Sequence, residues 1–230
     1  MRKSVNKNYT ICIETTSNIC GICIANDKNI IYEKNLDLGL NHSIVLFDNI
    51  VDALKSTKIC FDSIKIIKVS CGPGSFTGIR IGIATAIGLS IPYDTPIEYV
   101  DTLDSFCRYV SDNESYIISM IDAKNDRVYM SMYKSEKKIV NDITVNVHDL
   151  SYLLNKHFSN SNTVFNFVGP GAINYKNVFK AELNIKHKIL SKSYKYLSSN
   201  LCYTNGKESK NPIINYIVSS KAEREYNAKH

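Results

Sequence analysis

Apolar positions along the first third of the chain fall into short runs divided by polar gaps. Tyr9–Glu14, Ile19–Ala25 and Ile30–Leu36 read as three strands, with turns at Thr15–Asn18 and Asn26–Asn29. The period then changes. From His42 to Ser56 the residues Ile44, Phe47, Val51 and Leu54 recur at helical spacing, which predicts an amphipathic helix with those four on one face. Ile64–Ser70 predicts a further strand. It ends at Cys71-Gly72-Pro73-Gly74-Ser75, and a helix follows to about Ser90. Ile97–Val100 reads as a strand, and Asp101–Ser111 as a helix capped by Asp101.

A similar order then begins again. Tyr116–Asp122 and Arg127–Tyr133 predict strands joined by Ala123-Lys124-Asn125-Asp126, and Lys138–Val145 a third. Val147–Phe158 predicts a helix, Thr163–Val168 a strand and Ala172–Glu182 a helix. Repetition of one strand-helix order predicts an α/β chain of two lobes, divided near residues 108–114.

The helix after the glycine loop is apolar almost all round. Gly78, Gly82 and Ala86 form one stripe, and Ile79, Ile83 and Ile87 a second; Thr77, Arg80 and Thr85 are nearly its only polar positions. Such a helix needs cover on most sides. Its own sheet supplies one side; the remaining cover is expected from another helix, of a partner chain or, alternatively, of the same monomer.

Composition narrows the class. The 230 residues are 44% hydrophobic and 22% charged, a globular mix that excludes wholesale disorder, a collagen repeat and a coiled coil. The most apolar stretch, Ile79–Pro92, is shorter than a membrane span and carries Arg80. Met1–Thr10 is basic and polar, without the apolar core of a signal peptide, so a cytoplasmic location is expected. The net charge of +6 comes from scattered Lys, which permits weak phosphate contact without marking a nucleic-acid patch. Seven Cys sit mostly inside apolar runs and are expected as reduced core thiols. Cys20 and Cys23, three apart on a strand, should point to opposite faces and not meet.

Candidate chemistry centres on Gly72-Pro73-Gly74-Ser75-Phe76-Thr77-Gly78-Ile79-Arg80, with Glu14 and Thr15, where the first strand gives way to its turn, as further candidates. Gly permits positive φ, and Ser75 or Thr77 can cap the helix. A glycine-rich helix start also attracts anions. A tight capped turn and a phosphate cradle both remain open, since the loop has neither a P-loop ending nor a Gly-x-Gly-x-x-Gly pattern. The five His, at 42, 148, 157, 187 and 230, include no pair three or four apart, so no helical metal pair is expected. Asp122 and Asp126 flank a hairpin turn, where turn chemistry accounts for them better than a Mg²⁺ pair. Ser75 has no nucleophile elbow and reads as a cap. His42 reads as a helix-start residue at the lobe surface.

Residues Gly72–Gly82 resemble the Gly-Pro-Gly-Ser-Phe-Thr-Gly-x-Arg-x-Gly signature of the TsaB/YeaZ family. Ile11–Thr16, Asn41-His42-Ser43, Ile121–Lys124 with Val128-Tyr129, and Phe167–Ala172 resemble further family segments in the same order. The resemblance implies an actin/Hsp70/sugar-kinase-like (ASKHA) architecture of two ribonuclease-H-like lobes, residues 1–110 and 111–230. It implies a non-catalytic subunit of the machinery that forms N6-threonylcarbamoyladenosine in tRNA, an inactive relative of proteins once read as metalloproteases. It implies a homodimer when alone, pairing with a TsaD-like catalytic subunit, contact with a TsaE-like ATPase, and tRNA reached only through the complex. The expected interface is His42, Ile44, Phe47, Val51, Ile79, Ile83 and Ile87, in the first lobe's helices. No tightly bound cofactor and no metal are expected, with ATP and Mg²⁺ only in the complex. The chain departs from the family pattern at Glu14 (Asp), Lys124 (Arg), Arg127 (acidic) and Val218 (Arg). The alternative is an active ASKHA-type ATPase or small-molecule kinase that uses the glycine loop and Glu14.

Overall fold

The computed structural model describes residues 8–37, 42–108, 110, 114–135, 137–159, 162–190 and 198–217. Two mixed sheets carry the chain. In the first, β1 (Tyr9–Glu14) lies between β2 (Ile19–Asn26), antiparallel to it, and β4 (Ile64–Ser70), parallel to it. β3 (Asn29–Asp37) pairs with β2, and β5 (Ile97–Val100) pairs in parallel with β4. Helix α1 (His42–Thr57) connects β3 to β4, and α2 (Phe76–Ser90) connects β4 to β5. Both pack on the core of Ile11, Ile13, Ile22, Ile24, Ile67 and Val69.

The second lobe repeats the plan. β6 (Tyr116–Lys124) takes the place of β1, flanked by antiparallel β7 (Arg127–Lys134) and parallel β9 (Phe165–Val168). β8 (Lys137–Asn146) pairs with β7 and β10 (His187–Ile189) with β9. Helix α4 (Val147–Phe158) precedes β9, and α5 (Pro170–Asn174) and α6 (Lys176–Glu182) precede β10. The sheet orders β5-β4-β1-β2-β3 and β10-β9-β6-β7-β8 correspond strand for strand. The predicted two-lobe α/β duplication is therefore present. The single helix predicted over Ala172–Glu182 breaks at Tyr175, whose backbone (φ −101°, ψ 16°) leaves the helical region.

α3 (Thr102–Cys107) joins the lobes and is shorter than predicted. Its Leu103, Phe106 and Cys107 pack on Ile117, Ile121, Tyr133 and Val168 of the second sheet. Asp101 caps it, accepting from the N–H groups of Leu103 (2.8 Å) and Asp104 (3.2 Å). Near the end of the described chain, α7 (Ser199–Tyr203) packs on β1 and β2, and β11 (Lys207–Glu208) adds to the free edge of β5. Residues 199–208 thus rest on the first lobe, although they fall inside the span 111–230.

Helix α1 leaves Ile44 and Phe47 of the expected contact surface open, whereas α2 corrects the placement of Ile79 and Ile83. The core face of α1 is Leu46, Ile50 and Ala53, with His42 and Asn49, whereas Ile44 and Phe47 point to solvent. On α2 the buried residues are Gly78, Ile79, Gly82, Ile83 and Ala86, facing the chain's own sheet. α2 with the following 3-10 turn makes 18 residues, Phe76–Tyr93, of mean hydropathy 1.2, which reaches the length of a membrane span, contrary to the expectation for Ile79–Pro92. Its inner face belongs to a protein core.

Candidate functional site

The corresponding strand ends of the two lobes face each other across a cleft of about 450 Å³. Thr16, Ser17, Asn18, Gly74 and Ser75 line it from the first lobe, and Ile121–Lys124 with Pro170 and Asn174 from the second. The size suits a small ligand.

The glycine loop is shaped by the turn after β1. A Cβ on Gly74 would lie 2.4 Å from the Thr16 carbonyl oxygen, and one on Gly78 would lie 2.0 Å from that of Thr15. A Cβ on Gly82 would meet Thr15 Oγ1 at 2.4 Å. Thr15 Oγ1 donates to the Gly78 carbonyl (2.8 Å), and the Ser75 N–H donates to the Thr16 carbonyl (2.7 Å). Gly74, Gly78 and Gly82 are thus needed because the chain's own backbone lies against them. Ser75 Oγ accepts from the Gly78 N–H (3.2 Å), which fulfils its expected capping role. Gly72, at φ +104°, passes its carbonyl to the Thr102 N–H and lies against the carbonyl of Asn215; the Gly72–Pro73 bond is cis. Phe76 is half-buried, and Thr77 is exposed at the helix start.

Glu14 is buried and does not line the cleft. Its Oε1 accepts from the N–H (2.6 Å) and hydroxyl of Thr16. Burial pushes its carboxyl above the usual range, opposed by those hydrogen bonds. Asp122 does line the cleft. It accepts from the Lys124 N–H (2.8 Å) and Nζ (2.9 Å), and from Asn174 Nδ2 (3.1 Å). Burial opposes its ionisation, but the Lys124 bonds outweigh this and hold it below the usual range. Asp126 is exposed, within three successive positive-φ residues from Lys124 to Asp126. Among the described residues, no group of three His, Cys, Asp or Glu is placed to hold a metal.

Arg80 sits away from the cleft. Its guanidinium lies 3.8 Å from the Phe76 ring centroid, and Nε donates to the Tyr216 hydroxyl (2.9 Å). Phe76 and Tyr216 stack at 4.7 Å. Arg80 therefore clamps the returning C-terminal segment on α2, a contact 136 positions distant that no local pattern announces. Tyr216 stands two residues before Val218, which lies outside the described residues.

The expected interface residues separate into three groups. Ile44 (72% exposed) and Phe47 (58%) are open to solvent, and Val51 and Ile87 are half-buried. His42, Ile79 and Ile83 are buried, which corrects their placement at a contact surface. His42 fails as a surface residue because its ring turns inward, with Nε2 2.6 Å from the Ser17 carbonyl. Asn41, quoted with it, lies outside the described residues. The outer side of α2 instead shows Ala84, Gly88 and, just beyond it, Ile91 (74% exposed).

The two sheets of matching order, joined through α3 and enclosing a cleft at equivalent strand ends, define the class: an ASKHA-type fold of two ribonuclease-H-like lobes. A family model described as TsaD, tRNA N6-adenosine threonylcarbamoyltransferase, matches residues 38–221. The chain belongs to that family, among its TsaB/YeaZ members. It is 26% identical over 133 residues to the tRNA threonylcarbamoyladenosine biosynthesis protein TsaB of Bacillus subtilis (strain 168), covering 58% of each chain. To TsaB of Escherichia coli (strain K12) it is 26% identical over 129 residues, 55% of each. The matches thus span somewhat over half the length of these curated relatives. YeaZ from Pseudomonas aeruginosa superposes with a TM-score of 0.66 at 16% identity, over 85% of this chain and 89% of that one. An uncharacterised protein with similarity to peptidase YeaZ from Pseudomonas aeruginosa superposes at 0.72 and 16% identity, over 92% and 100%.

Proposed function

We propose that the chain is a non-catalytic subunit that pairs through α1 and α2 with a TsaD-like threonylcarbamoyltransferase in the synthesis of N6-threonylcarbamoyladenosine in tRNA. The observation that carries this reading is the apolar surface left open on two neighbouring helices: Ile44 and Phe47 on α1, Ala84 and Gly88 on α2, and Ile91 after it. Exposed apolar residues on two helices that pack against each other suit a protein contact. Gly88 has no atom within 4 Å of where a Cβ would stand, so a partner helix can approach closely there. The same surface serves a homodimer when the chain is alone. A TsaE-like ATPase joins the pair, tRNA is reached through the complex, and the setting is cytoplasmic.

The site supports the non-catalytic part of the reading. Glu14, which an ATPase or kinase would need in the cleft, is buried against Thr16. The glycines that would cradle a phosphate are occupied by the Thr15–Thr16 backbone. Lys124 already neutralises Asp122. Any nucleotide therefore binds in the assembled complex.

The test is a mixing assay with a TsaD-like subunit, read by size-exclusion chromatography and light scattering with and without ATP. A joint peak is expected, lost when Phe47→Asp is used. A folded chain that stays monomeric at high concentration and never co-elutes would overturn the reading. So would Mg²⁺-dependent ATP turnover by the chain alone that Glu14→Ala abolishes.

A further inference from the structure

Three cysteines distant in sequence converge under α7. Cys12 and Cys23 are directly opposed on β1 and β2, and both are fully buried. Cys202, on α7, reaches down between them, its sulfur 3.1 Å from that of Cys12 and 3.7 Å from that of Cys23. Val100 and Leu201 close the remaining sides. Cys202 alone of the three is partly exposed to solvent.

We propose that this cluster is a peroxide-responsive modification site, in which Cys202 is oxidised by a hydroperoxide and then captured by Cys12 as a disulfide. A thiolate reacts with peroxide far faster than a thiol. Hydrogen bonds from Cys12 and then Cys23 hold the Cys202 thiol down at about 4, against burial, with the Lys68 ammonium assisting and the Glu33 carboxylate opposing. Lys68 is fixed beside the cluster by its bonds to the Thr204 carbonyl (2.8 Å) and Glu98 (3.2 Å). Burial raises the Cys12 thiol, so it keeps its proton until needed.

The step balances as follows. The Cys202 sulfur attacks one peroxide oxygen, the O–O bond breaks, and the leaving hydroxide takes a proton to become water. This leaves a sulfenic acid on Cys202. The Cys12 sulfur attacks the Cys202 sulfur, the S–O bond breaks, and the hydroxide leaves with the Cys12 proton as a second water. Two thiols lose two electrons and the peroxide gains them. The sulfurs must close by about 1 Å to reach the roughly 2.05 Å of a disulfide, a shift left to rotation of the Cys202 side chain near the end of a five-residue helix. Oxidation would bolt the returning segment to the central strand of the first lobe. A thiol reductant reverses it.

The test uses the full chain carrying Cys60→Ser, which removes an exposed thiol. After reduction, the protein is treated with a small molar excess of hydrogen peroxide, and circular dichroism confirms that it stays folded. Intact mass should show the loss of two hydrogens, and non-reducing peptide mapping should recover Cys12 linked to Cys202. With Cys12→Ser, dimedone should instead trap the sulfenic acid on Cys202, and with Cys202→Ser or Cys202→Ala the mass loss should vanish. Oxidation of the folded chain that spares Cys202 would overturn the proposal. A Cys23–Cys202 link in its place would overturn Cys12 as the resolving thiol.

Discussion

A single methyl group should have opposite effects at two glycines of one helix. Gly78→Ala drives a Cβ to within 2.0 Å of the Thr15 carbonyl, so the loop or the turn must move. Overpacking of this kind costs about 1–3 kcal/mol. Gly88→Ala meets nothing within 4 Å, and replacing a helical glycine stabilises by up to about 1 kcal/mol. Urea unfolding of the two variants should shift to lower and higher midpoints respectively; two shifts of the same sign would refute the loop-turn packing. Glu14 gives a second prediction at this scale. Its folded carboxyl titrates above its unfolded value of about 4.3, so the native state holds a proton that the unfolded chain releases. Stability therefore falls as pH rises above that value and stays lower beyond the folded pKa. Glu14→Gln keeps an acceptor for Thr16 and cannot ionise. It should match the wild type near pH 4 and exceed it at pH 8, and parallel pH profiles would show that Glu14 is not held neutral by its surroundings.

Among the elements, α1 shows how far local pattern carries. Its existence and start at His42 are legible from the period of apolar positions, as are β1, β4, β5, α2 and α4. Which face is buried is not. Ile44-Phe47-Val51-Leu54 and Leu46-Ile50-Ala53 are both helical stripes, and only the packing of the sheet decides between them. The same limit explains why His42, Ile79 and Ile83 were expected at an interface and lie inside. β10, α7 and β11 are two to five residues long and are held by non-local pairing, so no window of sequence reveals them. The glycine loop is legible as a tight turn capped by Ser75, but not its filling by Thr15 and Thr16. Two substitutions separate the faces. Phe47→Asp changes a residue 58% exposed, so the monomer should keep its unfolding midpoint while subunit contact weakens about 100-fold, within the 2–5 kcal/mol range for a buried unpaired charge. Ile83→Asp buries the charge in the chain's own core and should yield unfolded or aggregated protein. If both variants remain folded and differ only in association, the core assignment of α2 is wrong.

At the scale of the whole molecule, the lobes meet over a charged knot. Lys138 of β8 contacts Asp104 and Asp142 at 2.7 Å each, and Asp101 at 3.9 Å. Asn215, on the returning segment, donates to both Asp101 (2.8 Å) and Asp142 (2.6 Å). One ammonium thus serves three carboxyls drawn from both lobes, and they cannot all ionise cheaply. Burial first, then the bond to Asp142 and its charge, push Asp101 up to about 8, while Asp142, bonded to Asp101, Lys138 and Ser131, is held at about 2 despite its burial. The signs oppose each other. Asp142 adds stability above its unfolded value of about 3.9, which is lost as pH falls toward 2. Asp101 keeps a proton that the unfolded chain lacks, so its contribution declines from about pH 4 through 8, by at most about 1.4 kcal/mol per pH unit. The knot should therefore be tightest on the acid side of neutrality and loosen as Asp101 ionises. Asp101→Asn keeps a cap for α3 and removes the ionisation. Between pH 6 and 9, the urea midpoint of the wild type should fall relative to that of the variant. Amide exchange in α3 should accelerate with pH beyond its intrinsic trend only in the wild type. An equal decline in both proteins would place the alkaline sensitivity elsewhere and leave the lobe contact indifferent to Asp101.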